Sequence, residues 1–309
     1  ILGRLVGSEM CIRDSFMTPF FKMIKSKLTS QIVCIFIYVV SFFLSYLLLP
    51  ESITDTWSKI VVWHIFATIF IYIGSLILNN SSLYDPFWSI APVPIVVYLT
   101  LSFKNTIELI VLVSLPIFFW AIRLTRNWLI SWQGFDHEDF RYIDLKNTNR
   151  VQAEINNFFG IHLVPTMLVN IGLYPLIYIT TNEIETSIFL YLASIFTIMA
   201  VILETVSDEQ MREFKSNVEN KGKTMKYKLW KYSRHPNYLG EVLFWYGIYF
   251  MGLSSGLASY WTILCPSLML ALFIFVSCPM MDKRSLNNRV DYKEYMDKTS
   301  QLLLLPPKS

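Results

Sequence analysis

The sequence predicts an all-α fold, a polytopic transmembrane helix bundle of about 7–8 membrane-crossing helices. Three observations predict it. The 309 residues are 54% apolar and only 16% charged, with a mean hydropathy of +0.44. A soluble domain of this length could bury a large core, but it would not need this much Phe, Ile, Leu and Trp. Apolar runs long enough to cross a bilayer follow one another with little between them. Finally, the positive charges gather on one side of those runs.

The runs lie, in order, at roughly 31–49, 60–78, 88–103, 107–125, 158–179, 186–204, 239–254 and 257–279. The third and seventh are short and interrupted by proline or glycine, which a membrane helix tolerates when its neighbours re-satisfy the freed backbone groups. No internal repeat, low-complexity stretch or flexible linker divides them, so residues 17–309 are expected to form a single integral-membrane domain. Residues 1–16 are set aside. Glu9-Met10-Cys11-Ile12-Arg13-Asp14-Ser15 reads as a translated sequencing adapter, an artefact on which no function should rest.

Eight crossings place four cytoplasmic regions on the side of the N-terminus. From Met17 onward every Lys and Arg falls in those regions except Lys59 and Lys104. By the positive-inside rule both termini are cytoplasmic, in a bacterial inner membrane or the endoplasmic reticulum. The expected partner on this reading is the lipid bilayer. A net charge of +3 is too small to suggest a nucleic acid. Cys34, Cys265 and Cys278 lie in apolar runs without metal-like or disulfide-like spacing, and are expected to be packing residues.

The same partition collects the unusual polar residues. Arg234 and His235 precede Pro236, which suits the first turn of a helix. The free N–H groups and positive dipole end of such a helix make an anion site; the alternative is a basic collar snorkelling to lipid headgroups. Asn237 and Glu241, four apart, share a face. Glu204, Asp208, Arg212 and Lys215 form a polar stripe leaving the sixth run. An ionised Glu204 near membrane depth costs roughly 2.5–3.5 kcal/mol on insertion scales, so it should face the interior, be neutral, or have a partner. Arg123 and Arg126 end the fourth run three apart, as a phosphate pair or simply as its positive terminus. Tyr142, Tyr232 and Tyr238 are phenols able to donate a proton to a developing enolate.

Neither G-x-G-x-x-G nor G-x-x-x-x-G-K-[ST] occurs. His64, His137, His162 and His235 form neither H-x-x-x-H nor H-E-x-x-H, so no metal is expected.

The run Leu229-Trp230-x-Tyr232-Ser233-Arg234-His235-Pro236-Asn237-Tyr238-x-Gly240-Glu241 resembles the steroid 5α-reductase-related membrane proteins, in particular their bacterial and protist branch of unassigned substrate. Asp85-x-x-Trp88, Glu138 to Tyr142, Ser207-Asp208-x-Gln210-x-x-x-Phe214 and Tyr292-x-x-Tyr295 with Thr299 and Pro306 follow in the same order. The likeness covers roughly residues 80–307 and adds to the one-domain reading. It implies an NADPH-dependent reductase with a helical core in the membrane. Such an enzyme passes hydride to one carbon of a C=C bond in an apolar steroid-, lipid- or polyprenyl-like substrate, while an acid of the protein protonates the other side. Carried over by motif, Arg126, Asp208, Lys215, Arg234, His235, Asn237, Tyr238 and Glu241 are the implied NADPH-binding residues, with Tyr142 and Glu241 the catalytic candidates. Where animal members have Asn, this chain has Glu204. Arg-His-Pro-x-Tyr also occurs in membrane methyltransferases, so an S-adenosylmethionine-dependent methyltransferase is the alternative.

Overall fold

The computed structural model describes residues 26–308, and the adapter-like segment lies outside them. The described residues are helical, without a strand. The principal helices are α1 (Lys27–Leu47), α2 (Thr56–Leu78), α3 (Pro92–Leu101), α4 (Ile107–Ser131), α5 (Phe140–Lys146), α6 (Val164–Leu173), α7 (Ile188–Ser216), α8 (Pro236–Leu253), α9 (Leu264–Leu272), α10 (Cys278–Asn288) and α11 (Tyr292–Lys298).

Among the described residues five stretches are long and apolar enough to cross a membrane: α1, α2, α4, α7 and the nearly continuous Tyr260–Asn288. That is fewer than the seven or eight expected. The third expected run yields the four-residue helix Phe87–Ile90 and, after Ala91, the ten residues of α3; α3 alone is about 15 Å at 1.5 Å per residue against a hydrocarbon core of about 30 Å. The fifth is split. A π-helical turn, Asn156–Leu163, leads into α6, and the short helix Leu176–Thr180 follows only after Pro175. The seventh becomes the 18 residues of α8.

The chain divides into two compact units. The first comprises residues up to Ala91 together with Leu124–Met167; the second comprises Pro92–Arg123 and the residues from Leu168 onward. In the first unit, Ser26 caps α1 by accepting from Thr29 N at 3.1 Å, and Asp55 caps α2 by accepting from Ser58 N at 2.7 Å. Such caps satisfy amides that the first helical turn leaves unpaired. Helix α2 stops at Asn79, which takes the left-handed conformation at φ 50°, a geometry asparagine tolerates. Phe87 fills the centre, packed on Phe42, Tyr84, His64 and Tyr38. Tyr38 donates to Leu83 O at 2.7 Å, and Trp63 Nε1 to Phe42 O at 3.0 Å. The opposite stripe of α1, comprising Ile32, Phe36, Val39, Phe43 and Leu47, is exposed.

In the second unit α7 and α8 lie backbone to backbone because glycines meet them there. A Cβ on Gly240 would stand 2.7 Å from Glu204 Cβ, and one on Gly247 would stand 2.1 Å from Thr197 Oγ1. Seven residues apart, the two share a face of α8. The far face of α7 exposes Phe189, Leu192, Ile195, Met199 and Val206. Stripes of this extent are rare on soluble monomers and suit contact with lipid tails; the apolar helices suggest an integral membrane protein. Cys34, Cys265 and Cys278 are buried free thiols, consistent with packing roles.

Candidate functional site

A cavity of about 190 Å³ opens in the second unit. Helix α7 contributes Asp208 and Lys215 to its wall; the start of α8 contributes Asn237 and Tyr238, and Arg234 and His235 immediately precede them. Arg289, Tyr292 and Tyr295 complete the polar lining. Pro236 occupies the first turn of α8 as expected. The turn before it is shaped by Ser233 Oγ, which accepts from His235 N at 3.1 Å and donates to Leu302 O at 2.7 Å. The segment after α11 laces over this turn. Arg234 N donates to Ser300 O at 2.9 Å, and Tyr295 OH donates to Trp230 O at 2.5 Å.

Arg234 and His235 differ from the expected open anion site in one respect: both are mostly buried and engaged with Asp282. Arg234 Nη2 lies 3.1 Å from Asp282 Oδ2, His235 Nε2 lies 2.9 Å from Oδ1, and Tyr292 OH donates to Oδ1 at 2.5 Å. Arg234 Nη1 donates to Met296 O at 3.0 Å, while its Nε–H is buried with no acceptor. Tyr238 stacks on His235 with ring centroids 5.3 Å apart. Burial pushes the Tyr292 and Tyr295 phenols up, so they remain neutral O–H donors. With the Arg234 charge balanced by Asp282, the cationic excess at the wall comes from Lys215 and Arg289.

Behind the Asp208 wall lies a buried chain of charges. Arg123 donates through Nη1 to Asp208 Oδ2 at 2.7 Å and through Nη2 to Glu204 Oε1. Asp208 Oδ1 accepts from Asn237 Nδ2 at 3.1 Å. Both oxygens of Glu241 accept indole N–H groups, from Trp120 and Trp245, each at 2.8 Å. Arg123 is 4% exposed and Glu241 2%.

The first unit holds a separate polar cluster. Tyr142 OH donates to Asp85 Oδ1 at 2.5 Å, and Arg141 Nη2 stands 3.4 Å from the same oxygen. Burial, opposed by Arg141 and by the Tyr142 hydrogen bond, raises the Asp85 carboxyl to about 6. Burial and then the Asp85 charge raise the Tyr142 phenol well above its usual range. Asp139 caps α5 through Arg141 N at 2.9 Å, and Glu138 accepts from Lys146 Nζ at 2.6 Å and Ser81 N at 2.7 Å.

Of the residues singled out from sequence, Asp208, Lys215, Arg234, His235, Asn237 and Tyr238 line this same cavity. Glu241 is not on that lining; it sits between two tryptophans. Arg126 is exposed and Tyr142 buried, and both belong to the first unit. The residue overlooked is Arg123, which sequence reasoning treated on a par with Arg126. The signal was available: a Glu204 at membrane depth requires a cation, and Arg123 follows the apolar Trp120-Ala121-Ile122. Asp282 was also missed. Among the described residues no group of three or more His, Cys, Asp and Glu side chains is placed to hold a metal.

A family model described as "Protein of unknown function (DUF1295)" matches residues 69–299, three quarters of the chain. No curated protein and no solved structure matches.

Proposed function

The chain belongs to the DUF1295 family, associated with steroid 5α-reductase-like proteins, and on that premise we propose that it is a membrane-embedded NADPH-dependent reductase. Its substrate on this reading is a C=C bond in an apolar steroid-, lipid- or polyprenyl-like molecule drawn from the bilayer. The observation that carries the reading is the cavity. Six residues proposed as NADPH contacts, spread from Asp208 to Tyr238, line one cationic, phenol-bearing pocket.

The donor set fits a phosphorylated nucleotide. Lys215 and Arg289 supply charge to phosphate oxygens, for which charge-assisted hydrogen bonds are roughly twice as strong as neutral ones. Asp208 and Asn237, already paired, suit a sugar hydroxyl or a carboxamide. At about 190 Å³ the cavity falls below the roughly 300–1,000 Å³ of a drug-sized pocket. It therefore seats the phosphate-and-sugar end of a dinucleotide rather than the whole. The cofactor would supply hydride, and the protein's part is to hold that end, exclude water, and present a proton. In the same reading the chain makes about eight crossings, the broken third and fifth runs counted among them, with both termini cytoplasmic.

The test is heat protection of the purified protein by NADPH and, separately, by S-adenosylmethionine. A ligand at a hundred times its Kd stabilises by about 2.7 kcal/mol, so the true cofactor raises the unfolding temperature and the other does not. Arg289→Ala should weaken NADPH binding by about 1.5–3 kcal/mol, less so at high salt, where screening has already weakened the contact. Arg289 is a cleaner choice than Arg234, whose removal would also strand Asp282. Protection by S-adenosylmethionine alone would replace the reductase with a methyltransferase.

A further inference from the structure

The interior of the second unit contains one more carboxyl group than its hydrogen bonds can explain as ionised. Glu204 is 5% exposed. Its Oε1 accepts from Arg123, but its Oε2 is buried and meets no N–H or O–H donor. What lies within hydrogen-bonding reach of Glu204 is the carboxyl of Glu241. Both Glu241 oxygens are already acceptors, from Trp120 and Trp245.

An ionised carboxylate has only acceptor sites. Two of them held together away from water cannot both ionise, and such pairs share a proton. These two are held together by the backbone. Gly240 precedes Glu241, and a Cβ on it would stand 2.8 Å from Glu204 N and 2.9 Å from Ala200 O. Helices α7 and α8 are in close contact at this level.

We propose that Glu204 and Glu241 share one proton. The pair then carries a single negative charge that Arg123 balances, so the buried trio is neutral. The groups facing it are Trp120 and Arg123 from α4, Asp208 from α7, and Trp245 from α8; Asn237 and Arg212 in turn act on Asp208. Glu204 is thereby a positioning residue. It anchors one arm of the Arg123 guanidinium, leaving the other to hold Asp208 at the cavity wall. The proposal stands whatever ligand the cavity takes.

Glutamine at position 204 imitates the protonated partner: its carbonyl accepts from Arg123 and its NH₂ donates to Glu241. At position 241 glutamine also removes one carboxyl group, at the loss of one of the two acceptors for the indoles. The test is infrared spectroscopy of the full-length protein in lipid nanodiscs, following the carbonyl stretch of a protonated carboxylic acid in H₂O and D₂O. Subtracting Glu204→Gln from wild type should leave one such band, shifted in D₂O, and subtracting Glu241→Gln should leave the same band. Asp208→Asn should retain it. Absence of the band from both difference spectra overturns the proposal, as does its survival in either Gln variant. Failure of Glu204→Gln to fold would overturn it too, because a shared proton requires glutamine to be accepted at position 204.

Discussion

Arg123 and Arg126 stand three residues apart on one helix, yet their replacement should have very different costs. Arg123 is 4% exposed and joins two carboxylates, Glu204 at 6% and Asp208 at 24% side-chain exposure. Arg123→Met fills the space of the side chain but strands both acids. Removing one partner of a buried ion pair typically costs about 3–5 kcal/mol, because the charge left behind is neither solvated nor paired. At roughly 2–4 °C per kcal/mol for a unit of this size, the unfolding temperature should fall by about 6–20 °C. Arg126→Met alters an exposed side chain, where changes stay within about 0.5 kcal/mol. Thermal unfolding of both variants in one detergent, followed by circular dichroism, makes the comparison. Adding Asp208→Asn to Arg123→Met should recover part of the loss, with a coupling of about 0.5–3 kcal/mol. If Arg123→Met is no less stable than Arg126→Met, the buried network contributes nothing and the account of the cavity wall fails with it.

Two further outcomes follow from packing and titration. The Asp85 carboxyl, raised to about 6 from 3.8, binds more protons in the folded than in the unfolded chain between those values. Stability should therefore fall as pH rises from 4 to 6, by up to about 3 kcal/mol at 1.36 kcal/mol per unit. Asp85→Asn should flatten that part of the profile, and a slope that persists in the variant would show another group responsible. Gly240→Ala should cost about 1–3 kcal/mol by overpacking, since its methyl would meet Glu204 Cβ at 2.7 Å; unchanged thermal stability would mean that α7 and α8 separate readily.

The parts of the fold legible in the sequence were those governed by local hydrophobic content. Helices α1, α2, α4 and α7 lie where long apolar runs demand them. The runs that came out short or broken depend on features that hydropathy averages away. The π turn at Asn156–Leu163 and the break at Pro175 shorten a run whose mean hydropathy never falls. At the site, the requirement that Glu204 find a partner followed from the cost of burying a charge. The identity of that partner did not, because Arg123 meets Glu204 only through packing across 81 residues of chain. The tail tyrosines were visible as a spaced pair. That Tyr292 serves Asp282, and Asp282 in turn holds Arg234 and His235, is a tertiary fact that no spacing encodes.

The lacing of the tail over the turn before α8 has a consequence for biogenesis. Tyr295 reaches back 65 residues to close on Trp230, and Ser300 and Leu302 supply the carbonyls that shape Arg234 and Ser233. At about 5–20 residues per second of synthesis, the turn waits roughly 3–13 s on the ribosome before its clasp is made. During that interval α7 and α8 can already be in the bilayer and packed, while the pocket beside them has no finished wall. The nascent chain therefore inserts before it can bind, and a ligand for this cavity can assist only the last stage of its maturation.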